Sequence, residues 1–172
     1  MKEWREETIW RGSINRLFQL MARILPGGGT IRIMLQRARG VHIGRNVFIS
    51  EDVILETACP DLITIEDRAW IGIRTIIIAH FRELSEGVRI ESDSFVGPGV
   101  VILPNVVVGH GAVVAAGSVV TRSVPPMTVV QGNPAVPVAL CGVPLGPNVT
   151  QKEFSRRLKP LPIRATEPRR QV

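Results

Sequence analysis

The sequence predicts an all-β fold: a narrow parallel solenoid of six-residue repeats, with a helical segment ahead of it and a short basic helix and tail behind. Two observations carry that prediction. The first is an aliphatic residue at every sixth position: Ile43, Ile49 and Leu55, then Ile65, Ile71 and Ile77, then Ile90, Val96, Ile102, Val108, Val114 and Val120. A helix repeats near 3.6 residues and a half-buried strand near 2, so neither explains a period of six. The second is the punctuation around each aliphatic. Small residues such as Ala69, Thr75, Ser94, Ala112 and Ser118 stand two positions before the next repeat, and Gly44, Gly72, Gly97 and Gly109 stand directly after one. One short strand plus one turn consumes six residues, so three hexads close a triangular coil with its aliphatics pointing inward. Stacked coils pair each strand with those above and below and align the aliphatics in columns.

Twelve hexads make four coils. The count is broken twice, by four extra residues around Pro60 to Thr64 and by seven, Glu83 to Arg89, ahead of the hexad at Ile90. Insertions in repeat proteins become loops on one face, often the binding face. That directs attention to His80.

The flanks read differently. Residues 8–25 place Trp10, Ile14, Leu17, Phe18, Met21, Ile24 and Leu25 at helical spacings, with Arg11, Arg16 and Arg23 mainly elsewhere. The pattern predicts an amphipathic helix whose apolar stripe packs on the coil or caps its first turn; the competing reading is a basic helix lying on a membrane surface. Pro26 and Gly27 to Gly29 stop it, and residues 30–39 form a short helix or entry segment. Beyond Val124, Pro125 and Pro126 end the hexads and VVQGNPAVPV adds a final extended segment. Residues 141–150 read as a linker, 151–159 as a short basic helix, and the chain from Pro160 as a loosely ordered tail. The expected divisions are an N-terminal segment 1–40, a β-helix domain 41–138, and a linker and tail 139–172.

Composition bounds the function. The chain has 172 residues, 45% of them hydrophobic and 21% charged, which excludes wholesale disorder and fits one domain. Cys59 and Cys141 make no disulfide framework, and Cys59 falls in a small-residue corner slot. No apolar run is long enough to span a bilayer, and MKEWREETIW lacks a signal-peptide pattern, so a cytoplasmic location is expected, with the N-terminal flank as the part that would sit peripherally on the inner membrane. The net charge of +6 is unevenly placed. Residues 1–40 carry eight basic and three acidic side chains, residues 41–150 six and ten, and residues 151–172 seven and two. A nucleic-acid binder would carry its basic face on the folded part, so nucleic acid is not an expected partner.

The motifs IIIAHF, VRIESDSFVGPGVVILPNVVVGHGAVVAAGSVVTRSVPP and VVQGNPA, taken in that order over about residues 38–138, resemble the hexapeptide-repeat acyltransferases, the left-handed parallel β-helix family that includes galactoside, maltose and serine acetyltransferases. The segment GVHIGRNVFISEDVILETACPDLITIED is most similar to the branch that O-acetylates capsule and exopolysaccharide. The resemblance implies a homotrimer with acetyl-CoA as co-substrate, bound in the groove between neighbouring coil stacks. It implies transfer to a hydroxyl of a sugar or polysaccharide precursor, with His80 as general base. A sugar hydroxyl is a poor nucleophile at neutral pH, and an imidazole suits the removal of its proton. A tetrahedral oxyanion then needs hydrogen-bond donors before it expels the CoA thiol. Ala116, Gly117, Thr121 and Arg122 match the stretch that holds the pantetheine arm and phosphates, Gly97 matches a backbone position near the thioester, and Glu56 matches an acidic position that binds the acceptor.

The chain also departs from the pattern. Pro98 follows Gly97 where some relatives keep Ser, Phe95 replaces the common Trp, and Val136, Pro137 and Val138 stand where a basic residue often follows GNPA. That leaves Arg156, Arg157 or Lys159 of the tail for the phosphates. Phe81 follows His80 where this branch often has Asp, so the group that orients the imidazole is unassigned. His42 has no motif match, and His110 reads as a solvated turn residue. Two other functions are weighed beside the acyltransferase: a non-catalytic β-helix scaffold, or inactive relative, and a γ-type carbonic anhydrase. The last needs two histidines five residues apart, whereas His42, His80 and His110 are separated by 38 and 30. No metal site is expected.

Overall fold

The hexads fold into three parallel sheets, one along each side of a triangular coil, in a computed structural model that describes residues 9–80, 85–146 and 149–162. Sheet A stacks β1 (His42–Ile43), β4 (Ile63–Ile65), β7 (Val88–Ile90) and β10 (Val107–Val108). Sheet B begins with β2 (Phe48–Ile49), β5 (Trp70–Ile71), β8 (Phe95–Val96) and β11 (Val113–Val114). Sheet C stacks β3 (Ile54–Leu55), β6 (Ile76–Ile77), β9 (Val101–Ile102) and β12 (Val119–Val120). Every pairing within the coil is parallel and in hexad register, so Leu55, Ile77, Ile102 and Val120 form one column and Ile49, Ile71, Val96 and Val114 another. These columns are essentially sealed from solvent, as the inward aliphatics of the repeat require. The resulting fold is a left-handed parallel β-helix.

The corner residues explain the punctuation. At the B–C corner a Cβ on Gly72 would lie 2.6 Å from the Pro98 nitrogen of the next rung, and a Cβ on Gly97 would lie 2.7 Å from the Ala116 nitrogen. Successive rungs approach too closely there for any side chain.

Three features depart from the sequence reading. The first is the orientation of α1 (Ile9–Ile24), which buries Gly12, Asn15, Gln19 and Ala22 and leaves Trp10, Ile14, Leu17 and Ile24 exposed. Its apolar stripe points away from the coil. The lowest rung of a solenoid presents a row of carbonyl oxygens with no strand beneath, and those acceptors call for donors. The cap supplies them. The Asn15 amide donates to Thr57 O at 2.5 Å and the Gln19 amide to Val53 O at 3.0 Å. From α2 (Ile31–Ala38) and its C-terminal end, buried Arg32 donates to Ile49 O and Arg39 to Leu55 O and Glu56 O. Arg39 is held in turn by Asn15, Gln19 and Gln36.

The second departure lies beyond Val124, which bridges to Val108 and starts a fifth rung. The expected single extended segment is a hairpin: β13 (Thr128–Gln131) continues sheet B beside β11, and β14 (Val136–Leu140) turns back antiparallel to it. The third is that α3 (Gln151–Arg156) is followed by β15 (Lys159–Pro160), which pairs antiparallel with β14, so order extends past the point where a loose tail was expected. Thr150 caps α3 by accepting from the Glu153 N–H, and Phe154 is buried with Val113 and Cys141. Cys141 is a buried free thiol. Cys59, expected in a corner slot, begins the 3-10 turn Pro60–Leu62 inside the first insertion.

Candidate active site

Both insertions open at the same corner, where sheet C hands over to sheet A. Because Leu55 pairs with Ile77 and Ile77 with Ile102, the residues that follow directly stack in register as one row, Glu56, Ile78, Leu103 and Thr121, and His80 lies two residues beyond Ile78 at the mouth of the second insertion. His80 and Glu56, twenty-four residues apart in sequence, are therefore neighbours on adjacent rungs, about 4.8 Å apart along the axis.

The contact is a hydrogen bond of 2.7 Å between His80 Nδ1 and Glu56 Oε2, with the imidazole 24% exposed and the carboxylate side chain 8%. The same carboxylate accepts from the backbone N–H groups of Thr57 at 2.7 Å, Ala58 at 2.9 Å and Ala79 at 3.3 Å. Burial pushes the Glu56 carboxyl up, but the Ala58 N–H, His80 and the Ala79 N–H together outweigh it and hold the group below its ordinary value of 4.5. An ionised Glu56 can only accept, so the Nδ1 of His80 carries the shared proton, and in the neutral ring the lone pair lies on Nε2. That leaves a base whose tautomer and orientation are set by a buried acid.

The rim of the second insertion is also fixed. Ser85 Oγ donates to Ala79 O at 2.6 Å, and the Glu86 N–H donates to Asn105 Oδ1 at 2.7 Å. Gly87 has φ +83°, and a Cβ there would sit 2.1 Å from Leu62 O of the rung below. Phe81, the departure noted beside His80, lies outside the described residues.

The remaining candidates divide between two corners. Thr121 and Arg122 are exposed at the C–A corner of the last complete rung, two rungs or about 10 Å along the axis from the His80 rung. Gly97, Ala116 and Gly117 sit at the B–C corner, separated from His80 by the width of sheet C. Gly97 is buried, its N–H donates to Val114 O at 2.9 Å, and its carbonyl accepts from Thr75 Oγ1. Close packing is thus a sufficient reason for glycine there. Ala116 and Gly117 are exposed, and Gly117 has φ +69° with open space beyond its Cα. Arg156, Arg157 and Lys159 are exposed on the C-terminal extension, where Arg157 pairs with Glu153.

Glu56 is the residue whose contacts the sequence reading missed. Its likeness to an acceptor-binding position named the residue, but its carboxylate faces His80. The other histidines lie elsewhere. His42 is exposed on sheet A beside an open concavity that includes Thr64, Glu66 and Arg68. His110, at the A–B corner, contacts Ser92 Oγ at 3.0 Å and stands 3.7 Å from Asp93. Among the described residues, no three His, Cys, Asp or Glu side chains are grouped as metal ligands would be.

Comparison with known proteins agrees with this architecture. Two family models match the coil, "Bacterial transferase hexapeptide (six repeats)" over residues 87–122 and "Hexapeptide repeat of succinyl-transferase" over residues 62–104. "Putative acetyltransferase YvoF" of Bacillus subtilis (strain 168) is 30% identical over 118 residues, 66% of this chain and 69% of YvoF. "Putative acetyltransferase C18B11.09c" of Schizosaccharomyces pombe is 32% identical over 110 residues, 57% of this chain, and the match spans only 52% of that protein. Among solved structures, the hexapeptide-repeat-containing acetyltransferase VCA0836 from Vibrio cholerae superposes with a TM-score of 0.64 at 25% identity, covering 79% of this chain and 93% of that one. VCA0836 has also been solved in complex with acetyl-CoA. The hexad register, the three parallel sheets and a relative of this identity and coverage give one conclusion: the chain belongs to the hexapeptide-repeat acetyltransferase family.

Proposed function

We propose that this chain transfers an acyl group, acetyl in the simplest case, from acyl-CoA to a hydroxyl of a sugar or polysaccharide precursor, with His80 as general base. The observation that carries the proposal is the buried Glu56 carboxylate 2.7 Å from His80 Nδ1 at the corner where both insertions open. The acceptor hydroxyl gives its proton to His80 Nε2 while its oxygen attacks the thioester carbonyl carbon. The tetrahedral oxyanion then collapses, the C–S bond breaks, and the imidazolium returns its proton to the departing thiolate. The products are the ester and CoA thiol. Glu56 stays ionised throughout and stabilises the positive charge that His80 acquires, the role an acid plays behind a catalytic imidazole.

The acetyl-CoA held by VCA0836 supports the choice of donor. Thr121 and Arg122 offer a hydroxyl and a cation for its phosphates, and the open B–C corner at Ala116 and Gly117 leaves room for its pantetheine arm. A site at the corner of one coil is convex, so its second wall would come from a neighbouring subunit of a homotrimer.

The test is release of free thiol from acetyl-CoA across a panel of sugar acceptors, run with and without each acceptor and with ester formation confirmed by mass. Acceptor-dependent release with matching ester is expected. Hydrolysis of acetyl-CoA independent of every hydroxyl acceptor, or no turnover by a folded trimer, contradicts the proposal and favours the scaffold reading.

A further inference from the structure

The outward face of α1 has nothing covering it in a single chain, and its composition identifies what would. Residues in a helix step about 100° apart, so Gly12, Asn15, Gln19 and Ala22, which bury against the coil, lie opposite Trp10, Leu17 and Ile24. Trp10 is 82% exposed and Ile24 71%; Ile14, Leu17 and Leu20 are each at least half exposed. Met34, from the neighbouring α2, is exposed as well. A continuous exposed apolar stripe of this length is a binding surface rather than scatter.

Charge chooses the partner. From Thr8 to Ser50 the chain has no carboxylate. Exposed Arg11 and Arg16 fall on the two margins of the stripe, between the apolar face and the face that binds the coil. Cations on both borders, an indole within the stripe and long aliphatics along its centre make the arrangement of a helix half-sunk in an anionic interface, with guanidinium groups reaching phosphates and apolar side chains reaching acyl chains. A second copy fits poorly, because a two-fold contact through this face would bring arginines of both copies to one border with no carboxylate between Thr8 and Ser50 of either to pair them. No described helix is long and apolar enough to cross a membrane, so the mode is lying on the surface.

We infer that α1 is a membrane-docking helix, with its polar face fixed to the first rung of the coil and its apolar face seated in the headgroup region of an anionic bilayer. The inference is independent of the acyl-transfer reading. It nonetheless has a consequence for it: Asn15 on the inner face of α1 holds Thr57 O, next to Glu56, so docking would bring the His80 corner close to the membrane surface.

The test is flotation of the intact chain with phosphatidylcholine vesicles, with and without about 30% phosphatidylglycerol, at low and high salt. Expected are capture by the anionic vesicles at low salt, at least about tenfold less by the zwitterionic ones, and loss of capture in Leu17→Asp. Leu17 is exposed, so the circular dichroism of that variant should match the parent. Three results overturn the inference: no capture at low salt, capture that survives Leu17→Asp, or concentration-dependent self-association abolished by Leu17→Asp without vesicle binding. The last would assign the face to a second copy.

Discussion

Two corners of this coil each bring a histidine next to a carboxylate from the rung below, and they do not make equivalent sites. At the C–A corner His80 and Glu56 meet at 2.7 Å, both largely enclosed, and Glu56 has no cation competing for it among its described contacts. At the A–B corner His110 stands 3.7 Å from Asp93, half exposed, and both oxygens of Asp93 already accept from Arg68 at 2.7 and 2.6 Å. Arg45 and Asp67 repeat that arrangement one rung lower. The A–B corner is an exposed ion ladder along regular rungs, where solvent screens each pair. The C–A corner is irregular, interrupted by both insertions, and its histidine and carboxylate are far less exposed. Placing an imidazole by an acid is easy in a stacked fold; the corners differ in how deeply the acid is buried and in whether an arginine already holds it.

The largest expected effect separates the corners by function. His80→Ala should lower kcat for acceptor-dependent thiol release by about 10²- to 10⁴-fold, whereas His110→Ala should stay within about twofold. Equal losses would break the comparison. Glu56→Gln should come next, with kcat down by about ten- to a hundredfold and KM for acetyl-CoA little changed, since a neutral amide keeps the shape and loses the charge that stabilises the imidazolium. A Glu56→Gln variant that raised only the acceptor KM would favour the acceptor-binding role its sequence position implies over the one behind His80.

Stability should divide the corners too. Gly87→Ala and Gly111→Ala both place a side chain at positive φ, +83° and +61°, at a cost of about 1–3 kcal/mol. At Gly111 the added Cβ meets the sulfur of Met127, which can move, whereas at Gly87 it meets the Leu62 carbonyl oxygen, which is backbone. Thermal unfolding should therefore show the larger drop in Tm for Gly87→Ala.

The smallest effect is in acid. Glu56 is held below its ordinary value of 4.5 in the folded chain, so its contribution to stability is fully present above that pH and fades as pH falls through the folded value. Below about pH 4.5 the difference in unfolding free energy between the parent and Glu56→Gln should shrink as pH falls; a difference that stayed constant from about pH 5 to about pH 3 would contradict the ionised carboxylate.

Much of this was legible in the sequence, because a hexad repeat specifies strand, turn and inward face at once. Ile77 and Ile102 declare the core column, and Gly72 and Gly97 declare the close approach of rungs. His80 was legible from its motif and from the insertion that follows it. Its partner was not: Glu56 lies a full coil upstream, and the insertion at Pro60 disturbs the spacing that would otherwise put the two in obvious register. The orientation of α1 was hidden for a different reason. Periodicity shows that a helix has two faces but not what each will meet, and only the bare carbonyl row of the first rung makes Asn15 and Gln19 the inward side. The β14–β15 pairing was missed because VPV reads as part of one extended segment and Lys159 as the end of a helix, and a strand as short as Lys159–Pro160 declares itself only when an exposed edge is there to accept it.

The most direct measurement is a crystal structure of the assembled protein with acetyl-CoA bound, read for the distance from the thioester carbonyl carbon to His80 Nε2. An acceptor oxygen must fit between them, in hydrogen-bond reach of the base and in attack range of the carbon, so the expected separation is within about 6 Å. A thioester resting beside His110 or on the outer surface of sheet A, with His80 remote from it, would contradict the assignment of His80 as the base.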